Sequence, residues 1–332
     1  DIIAAWQRGA NQYGVGSGGS FLVTGYTQAH AALEAKLAEI TGYESSLLFN
    51  SGYSANQALI KALLNKNDLL VQDKLNHASL IEAGVYSPVS MKRFKHNDTA
   101  HLAQLLSQHR PQSANSLVVT EGVFSMDGDS ADLQGISRLC KVHDSWLLVD
   151  DAHGFGVLPQ GQNSLKQHLL STNDVNLYMA TFGKAVGVSG AFVAASKDVI
   201  EYLVNFSKPY IYSTAMPAAM AVCIDKALTI MATEMWRVTH LNQLICYFKQ
   251  QCSLRNITLM PSDSAIQPLI IGDASKAMKI SQYLASKGLL VKAIRPPTVP
   301  QGSSRLRITL SANHSIEDID LLLTRLKEAL HD

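Results

Sequence analysis

The chain reads as an α/β protein with a helix-covered sheet, followed by a smaller α+β domain, and three observations carry that reading. Short apolar runs recur at 46–49, 68–72, 116–120, 146–150, 177–180 and 191–195, several without the alternation of a half-wet strand, as expected of strands buried on both faces. Between them lie stretches at 29–41, 54–65, 98–109 and 132–143 whose apolar residues return every third or fourth position, the spacing of helices with one buried face. With 332 residues, 47% of them hydrophobic, the chain can build one large core and a second, smaller one.

The chain opens on an amphipathic stretch, Ile2-Ile3-Ala4-Ala5-Trp6, and its first residue is Asp rather than Met, so the natural N-terminus is expected upstream. Gly14-Val15-Gly16-Ser17-Gly18-Gly19 then satisfies the G-x-G-x-x-G spacing of a dinucleotide fold, with Glu39 at about the distance of the ribose-binding acid. That fingerprint needs a strand before it and a helix opening inside it. Here a helix precedes it, Phe21-Leu22-Val23-Thr24-Gly25 follows, and Glu39 falls late in the next helix, so a nicotinamide cofactor is set aside. The glycines read as a loop where backbone runs close to a ligand or another chain, or as a surface turn.

After the alternating strands and helices, Pro217 opens a long helical region reaching about residue 251, either one helix or two meeting at a bend. The remainder reads strand (265–271), helix (275–287), strand (289–294), loop, strand (305–310) and helix (316–330), a small α+β domain. The expected division is a large domain over 1–235 and a small one over 236–332. There is no internal repeat, and the Pro-rich 295–300 stretch is short enough to be an ordered loop.

Charge and cysteines narrow the function classes. The 28 Lys and Arg against 27 Asp and Glu give a net charge of +1 with no basic run or stripe, which argues against a nucleic-acid partner. No apolar stretch is long enough to cross a bilayer and no basic-then-apolar leader opens the chain, so a cytoplasmic protein without a membrane partner is expected. Cys140, Cys223, Cys246 and Cys252 form no C-x-x-C pair and sit in apolar helical patterns, where buried free thiols are expected.

Two segments carry chemistry. Asn176-Leu177-Tyr178-Met179-Ala180-Thr181-Phe182-Gly183-Lys184-Ala185 is a buried-looking strand that delivers one lysine among small residues, with no other charge from Leu177 to Ala195. Desolvation in such a place lowers an amine pKa, which a lysine that attacks carbonyl carbon near neutral pH requires. Thr181 is spaced to offer its hydroxyl to a phosphate. Upstream, Ser145-Trp146-Leu147-Leu148-Val149-Asp150-Asp151-Ala152-His153-Gly154 is an apolar strand ending in two carboxylates and an imidazole. Ligands of such sheets sit at the carboxyl ends of strands. Asp150 there can keep a pyridinium nitrogen protonated, and His153 can bond the ring's phenolic oxygen. The competing readings are a helix N-cap with an incidental histidine, and a divalent metal site from Asp150, Asp151 and His153; no second cluster supplies further ligands, so no metal is expected.

An Asp-x-x-His at one strand end followed by Ser/Thr-x-Gly-Lys at the next resembles the fold-type I pyridoxal-5′-phosphate (PLP) enzymes, the aspartate aminotransferase-like fold. Thr120-Glu121-Gly122-Val123-Phe124-Ser125-Met126-Asp127-Gly128-Asp129, Asp150-Asp151-Ala152-His153-Gly154 and Thr181-Phe182-Gly183-Lys184-Ala185 are similar to the α-oxoamine synthase family, over nearly the whole chain. Ala293-Ile294-Arg295-Pro296-Pro297-Thr298-Val299-Pro300, Gly302-Ser303-Ser304-Arg305-Leu306-Arg307, Gly16-Ser17-Gly18-Gly19 and Ile211-Tyr212-Ser213-Thr214-Ala215-Met216-Pro217 fit the member that serves biotin synthesis. That resemblance implies a mixed, mostly parallel sheet and an acyltransferase joining L-alanine to a pimeloyl thioester, on coenzyme A or an acyl carrier protein. A sister enzyme using glycine with acetyl- or succinyl-coenzyme A shares every cofactor residue, and only the 295–307 stretch separates the two.

The resemblance also implies roles. Lys184 binds PLP, Asp150 and His153 hold its ring, and Gly52 and Tyr53 give backbone N–H groups to the phosphate at a helix start. His77, in Asn76-His77-Ala78-Ser79, stacks on the ring and helps position the substrate; Ser125 bonds around the ring oxygen. Arg307 grips the amino acid carboxylate with a bidentate fork, and Thr298 faces the acyl donor. Ser213 or Thr214 completes the phosphate site from the opposite subunit, making a homodimer with a shared active site. Two departures stand out: the family has an N-terminal segment ahead of the point where this chain starts, and Pro159-Gln160-Gly161-Gln162-Asn163 lacks the fuller Gly and Arg pattern that follows the Asp-Ala-His-Gly motif.

Overall fold

The computed structural model describes residues 1–331. The chain forms two compact units: Asp1–Gly122, Ala131–Gly156 and Gly161–Glu234 make the first, while Val123–Ser130, Val157–Gln160 and everything from Met235 onward make the second. The two short excursions carry no periodicity, so they leave no mark in a reading that places one boundary near residue 235.

The first unit is built on a seven-stranded sheet. Its strands are β1 (Ser45–Phe49), β2 (Leu69–Asp73), β3 (Ser90–Phe94), β4 (Ser116–Glu121), β5 (Trp146–Asp150), β6 (Leu177–Thr181) and β7 (Ala191–Ala195), in the order β1-β7-β6-β5-β4-β2-β3. All neighbours pair parallel except those flanking β7, which runs against both β1 and β6. The sheet is thus mixed and mostly parallel. Strands β2, β4 and β7 are buried along their whole length, which is why their sequences run apolar instead of alternating. Strand β3 escapes a sequence reading because it is an edge strand, half wet and carrying Lys92 and Arg93.

Helices α1 (Ile2–Tyr13), α2 (Gln28–Thr41), α3 (Gly52–Leu63), α4 (Ala78–Val85), α5 (Thr99–His109), α6 (Leu133–Val142), α7 (Ser164–Gln167), α8 (Lys197–Phe206), α9 (Lys208–Ile211) and α10 (Ala218–Thr233) also belong to this unit. Gly9 lets α1 press on α10, since a Cβ there would stand 2.8 Å from the Ala219 Cα. After α1 the glycine-rich segment leads into a π-helical turn at Phe21–Gly25, so neither the strand nor the helix of a dinucleotide motif flanks it. Because β1, β2, β4, β5 and β6 all point one way, the loops after Phe49, Asp73, Glu121, Asp150 and Thr181 emerge on one edge of the sheet.

In the second unit, α11 (Trp236–Leu254) is distinct from α10, so the long helical region is two helices, with the break between Thr233 and Trp236. Strands β8 (Ile266–Gly272), β9 (Lys292–Ile294) and β10 (Ser304–Thr309) form an antiparallel sheet ordered β8-β10-β9. Together with α12 (Ala274–Ser286) and α13 (Ile316–His331), they enclose a core that includes Leu244, Phe248, Leu284, Leu306, Leu323 and Leu326. Strand β9 is shorter than the expected 289–294 run, whose Leu290 is exposed. Three of the cysteines are buried, whereas Cys246 is exposed.

Candidate active site

Lys184, Asp150, His77 and His153, all in the first unit, stand on the edge where the parallel strands end. Lys184 sits in the turn joining β6 to β7, closed by Phe182 N–H donating to the Gly190 carbonyl (2.9 Å) and Gly187 N–H to the Lys184 carbonyl (3.1 Å). The flanking strand is buried as its sequence suggested, but Lys184 itself is exposed. The enclosed setting expected for it is therefore not met: the strand ends at Thr181, and the three residues that follow carry the lysine out of the core.

Asp150, by contrast, is enclosed. Its Oδ1 accepts from the Ala152 N–H (3.0 Å) and its Oδ2 from the Asn56 Nδ2 (2.8 Å). Burial pushes its carboxyl above the usual carboxylate range, opposed by the Asn56 amide, the Ala152 N–H and the positive charge that His77 and Lys184 can carry. The Asn56 amide also donates to Ser79 Oγ (2.9 Å), and Ser79 meets His77 Nδ1 through its hydroxyl (2.8 Å) and its N–H (3.2 Å). His77 thereby caps α4 while its ring stays exposed. Asn56 and Ser79 were not singled out in the sequence. The available signal was a polar pair, Asn56-Gln57, set on the buried face of an otherwise apolar helix.

His153 is half-buried in the turn after β5, where the Asp151 carbonyl accepts from the N–H groups of Gly154 (3.2 Å) and Phe155 (2.9 Å). Asp151 turns into the core instead of joining a metal set. One of its oxygens accepts from the Ser164 N–H (2.8 Å) and the Tyr178 hydroxyl (2.7 Å), the other from the Ser164 hydroxyl. Burial raises its carboxyl to about 6.

The opening of α3 fits a phosphate on two counts. Ser51 caps the helix by accepting from the Ser54 N–H (3.1 Å), which leaves the N–H groups of the first turn without helix partners, as at every helix start. Beside them, the Thr181 hydroxyl oxygen is buried with no bonding partner among the described residues, and a Cβ on Gly52 would stand 2.6 Å from the Thr181 Cγ2. A buried hydroxyl of this kind is unfavourable unless a ligand oxygen meets it. The donor set, with a carboxylate at one place and a helix start plus hydroxyl at another, matches the pyridine nitrogen and phosphate of PLP. Tyr53 is exposed, and its hydroxyl bonds Glu82, so its contribution to such a cradle is its backbone. Ser213 is half-buried and Thr214 exposed; the Thr214 carbonyl accepts from Asn50 Nδ2 (2.6 Å), and among the described residues neither side chain bonds Lys184, Asp150 or a histidine.

The remaining three candidates lie in the second unit. Strand β10 carries two arginines that differ sharply. Arg305 is 5% exposed and ion-paired to Asp127. Arg307 is half-buried, donates through Nε to the Ser125 carbonyl (2.8 Å) and through Nη1 to the Thr309 hydroxyl (2.9 Å), and has no carboxylate partner among the described residues. Burial lowers its guanidinium from the usual range. Ser125 is buried, and Thr298 donates its N–H to the Arg295 carbonyl (3.1 Å) beyond the cis Pro296–Pro297 bond.

Known proteins resemble this chain over its whole length. The family profile for aminotransferase class I and II matches residues 1–326. The 8-amino-7-oxononanoate synthase of Pseudomonas savastanoi pv. phaseolicola is 48% identical over 329 residues, covering 99% of this chain and 82% of that protein. Among solved structures, a serine palmitoyltransferase variant from S. paucimobilis with a bound PLP-myriocin aldimine superposes with a TM-score of 0.95 at 27% identity, covering 100% of this chain and 83% of that one. The 8-amino-7-oxononanoate synthase of Francisella tularensis superposes with a TM-score of 0.86, also at 27% identity, covering 100% and 93%. The fold is that of the fold-type I PLP transferases, and the chain belongs to the class I and II aminotransferase family, within its 8-amino-7-oxononanoate synthase branch.

Proposed function

We propose that this chain joins L-alanine to a pimeloyl thioester, releasing CO2 and the thiol of coenzyme A or an acyl carrier protein, to give 8-amino-7-oxononanoate for biotin synthesis. The observation that carries this reading is the 48% identity along 99% of the chain. Fold alone does not choose the substrates, because a serine palmitoyltransferase superposes as well as an 8-amino-7-oxononanoate synthase does.

Lys184, Asp150, His153, His77, Thr181, Ser125 and the first turn of α3 at Gly52 and Tyr53 would hold PLP. Bound there, the cofactor supplies an electron sink for the pair left on the alanine Cα, first when its proton leaves and later when CO2 leaves. Asp150 keeps the proton on the pyridine nitrogen, and its burial makes a cation at that point the favoured neighbour. Lys184 would offer the amine to which the cofactor attaches and would act as the base that removes the alanine Cα proton. Its exposure suits both roles, because an amine in a turn is free to move aside. His77, His153 and Ser125 would help hold the ring. Arg307 would grip the α-carboxylate of alanine and so orient the amino acid at the site. Thr298 offers one hydrogen bond to the acyl donor. The partner's Ser213 or the partner's Thr214 would complete the phosphate site in a homodimer.

Pairing each amino acid with each thioester tests the reading. Alanine with a pimeloyl thioester should give the highest kcat/KM, and faster turnover of glycine with acetyl- or succinyl-coenzyme A would refute the substrate assignment.

A further inference from the structure

Asn56 has a bonding pattern that admits one orientation. Its Nδ2 lies 2.8 Å from a carboxylate oxygen of Asp150 and 2.9 Å from Ser79 Oγ. With Asp150 ionised, as a cation held beside it requires, turning the amide over would place its carbonyl oxygen against the carboxylate, so both amide protons are fixed, one on each acceptor. The direction of the next bonds follows. Nδ1 of His77 accepts from the Ser79 N–H and so carries no proton; the Ser79 hydroxyl, already accepting from Asn56, donates its own proton to that nitrogen. The bonds therefore link Asp150 to the His77 ring, with Asn56 donating to both Asp150 and Ser79 and Ser79 donating onward to His77, and they leave the proton of that ring on Nε2. Asn56 is 1% exposed and Ser79 fully buried, so water does not compete along them.

We propose that Asn56 and Ser79 are positioning residues that set the Asp150 carboxylate and the His77 ring as one unit. The proposal rests on the reading of Asp150 and His77 as PLP-holding residues. Its physical sense lies in the helix that carries it: Asn56 stands one turn beyond Gly52 in α3, so the helix whose start faces the phosphate also aims the acid at the ring nitrogen. Loss of either member releases His77 and Asp150 from each other without removing any group that touches cofactor or substrate.

The test uses the PLP-loaded full chain with 15N-labelled histidine, the His77 resonances being identified by their loss in His77→Gln. In the unmutated protein Nδ1 of His77 should be the bare nitrogen and Nε2 the protonated one. Ser79→Ala should shift the Nδ1 resonance, and Asn56→Ala should shift it too, although Asn56 does not touch the ring. Each single substitution should lower kcat about tenfold, and the double about tenfold as well, because both break the same linkage. A His77 ring unmoved by Asn56→Ala, or losses that multiply to about a hundredfold in the double variant, would overturn the proposal. Ser79→Ala is a small change that keeps the test open should Asn56→Ala fold poorly, and there an unmoved ring has the same meaning. A chain that takes up no PLP at all would sink the functional reading and this proposal with it; that result is read from the unmutated protein alone.

Discussion

Replacing Arg307 with leucine removes a guanidinium that pairs with no acid among the described residues, whereas the same change at Arg305, two residues earlier on β10, takes away the guanidinium that ion-pairs with Asp127. The two substitutions should therefore separate binding from stability. A charge-assisted hydrogen bond to substrate contributes about 1.5–3 kcal/mol, so Arg307→Leu should raise the alanine KM by about 10- to 150-fold while PLP affinity and the melting curve change little. Arg305 is 5% exposed, and removing one member of a buried ion pair costs about 3–5 kcal/mol, here because the Asp127 carboxylate loses its guanidinium partner. Arg305→Leu should thus unfold at markedly lower urea, with the alanine KM of the surviving folded protein near that of the unmutated chain. The assays are steady-state kinetics with alanine varied and urea denaturation of the same preparations. An unchanged alanine KM in Arg307→Leu would refute the assignment of Arg307; a KM effect at Arg305 without loss of stability would show the two roles are reversed.

Three further outcomes are expected. Gly52→Ala drives a Cβ to 2.6 Å from the Thr181 Cγ2, and relieving that overlap moves Thr181; at about 1–3 kcal/mol, PLP affinity should fall by about 5- to 150-fold in a fluorescence titration, and undiminished affinity would count against a phosphate at this helix start. Asp151 is raised by burial from 3.8 to about 6, so the folded chain holds its proton more tightly than the unfolded one. Its contribution is fully present below pH ~4 and is lost as pH rises through about 6, a change on the order of 3 kcal/mol; the difference in stability between the unmutated chain and Asp151→Asn, followed by urea melts, should track that window, and parallel curves would contradict it. Thr298→Val keeps the shape of the turn but removes its hydroxyl, so the pimeloyl KM should rise about fivefold to tenfold with the alanine KM unmoved, and a turn that merely links β9 to β10 would show neither effect.

How far a sequence discloses such a site depends on whether its contacts are periodic. Strands β5 and β7 read to the residue because both are apolar runs, and Asp150 and Lys184 stood out as charges at the ends of such runs. The burial of Lys184 did not read correctly, since apolarity of the strand says nothing of where the turn beyond Thr181 directs the side chain. Asn56 bonds a residue 94 positions away and Arg305 one 178 away, and no spacing rule reaches across such separations. Arg305 and Arg307 look alike as alternate residues of one strand; only the carboxylate beside the first tells them apart. The excursion at Val123–Ser130 escaped for the same reason, its place in the second unit being fixed by contacts such as Ser262 Oγ donating to the Gly128 carbonyl (2.9 Å).

The central claim is that Lys184 is the residue to which the cofactor attaches. Borohydride reduction of the PLP-loaded protein, followed by digestion and mass spectrometry, tests it directly, because reduction makes the linkage permanent wherever it lies. The pyridoxyl mass should appear on the peptide containing Lys184 and vanish in Lys184→Ala, which should also lose turnover. A label on any other lysine, or full activity in Lys184→Ala, would contradict the account.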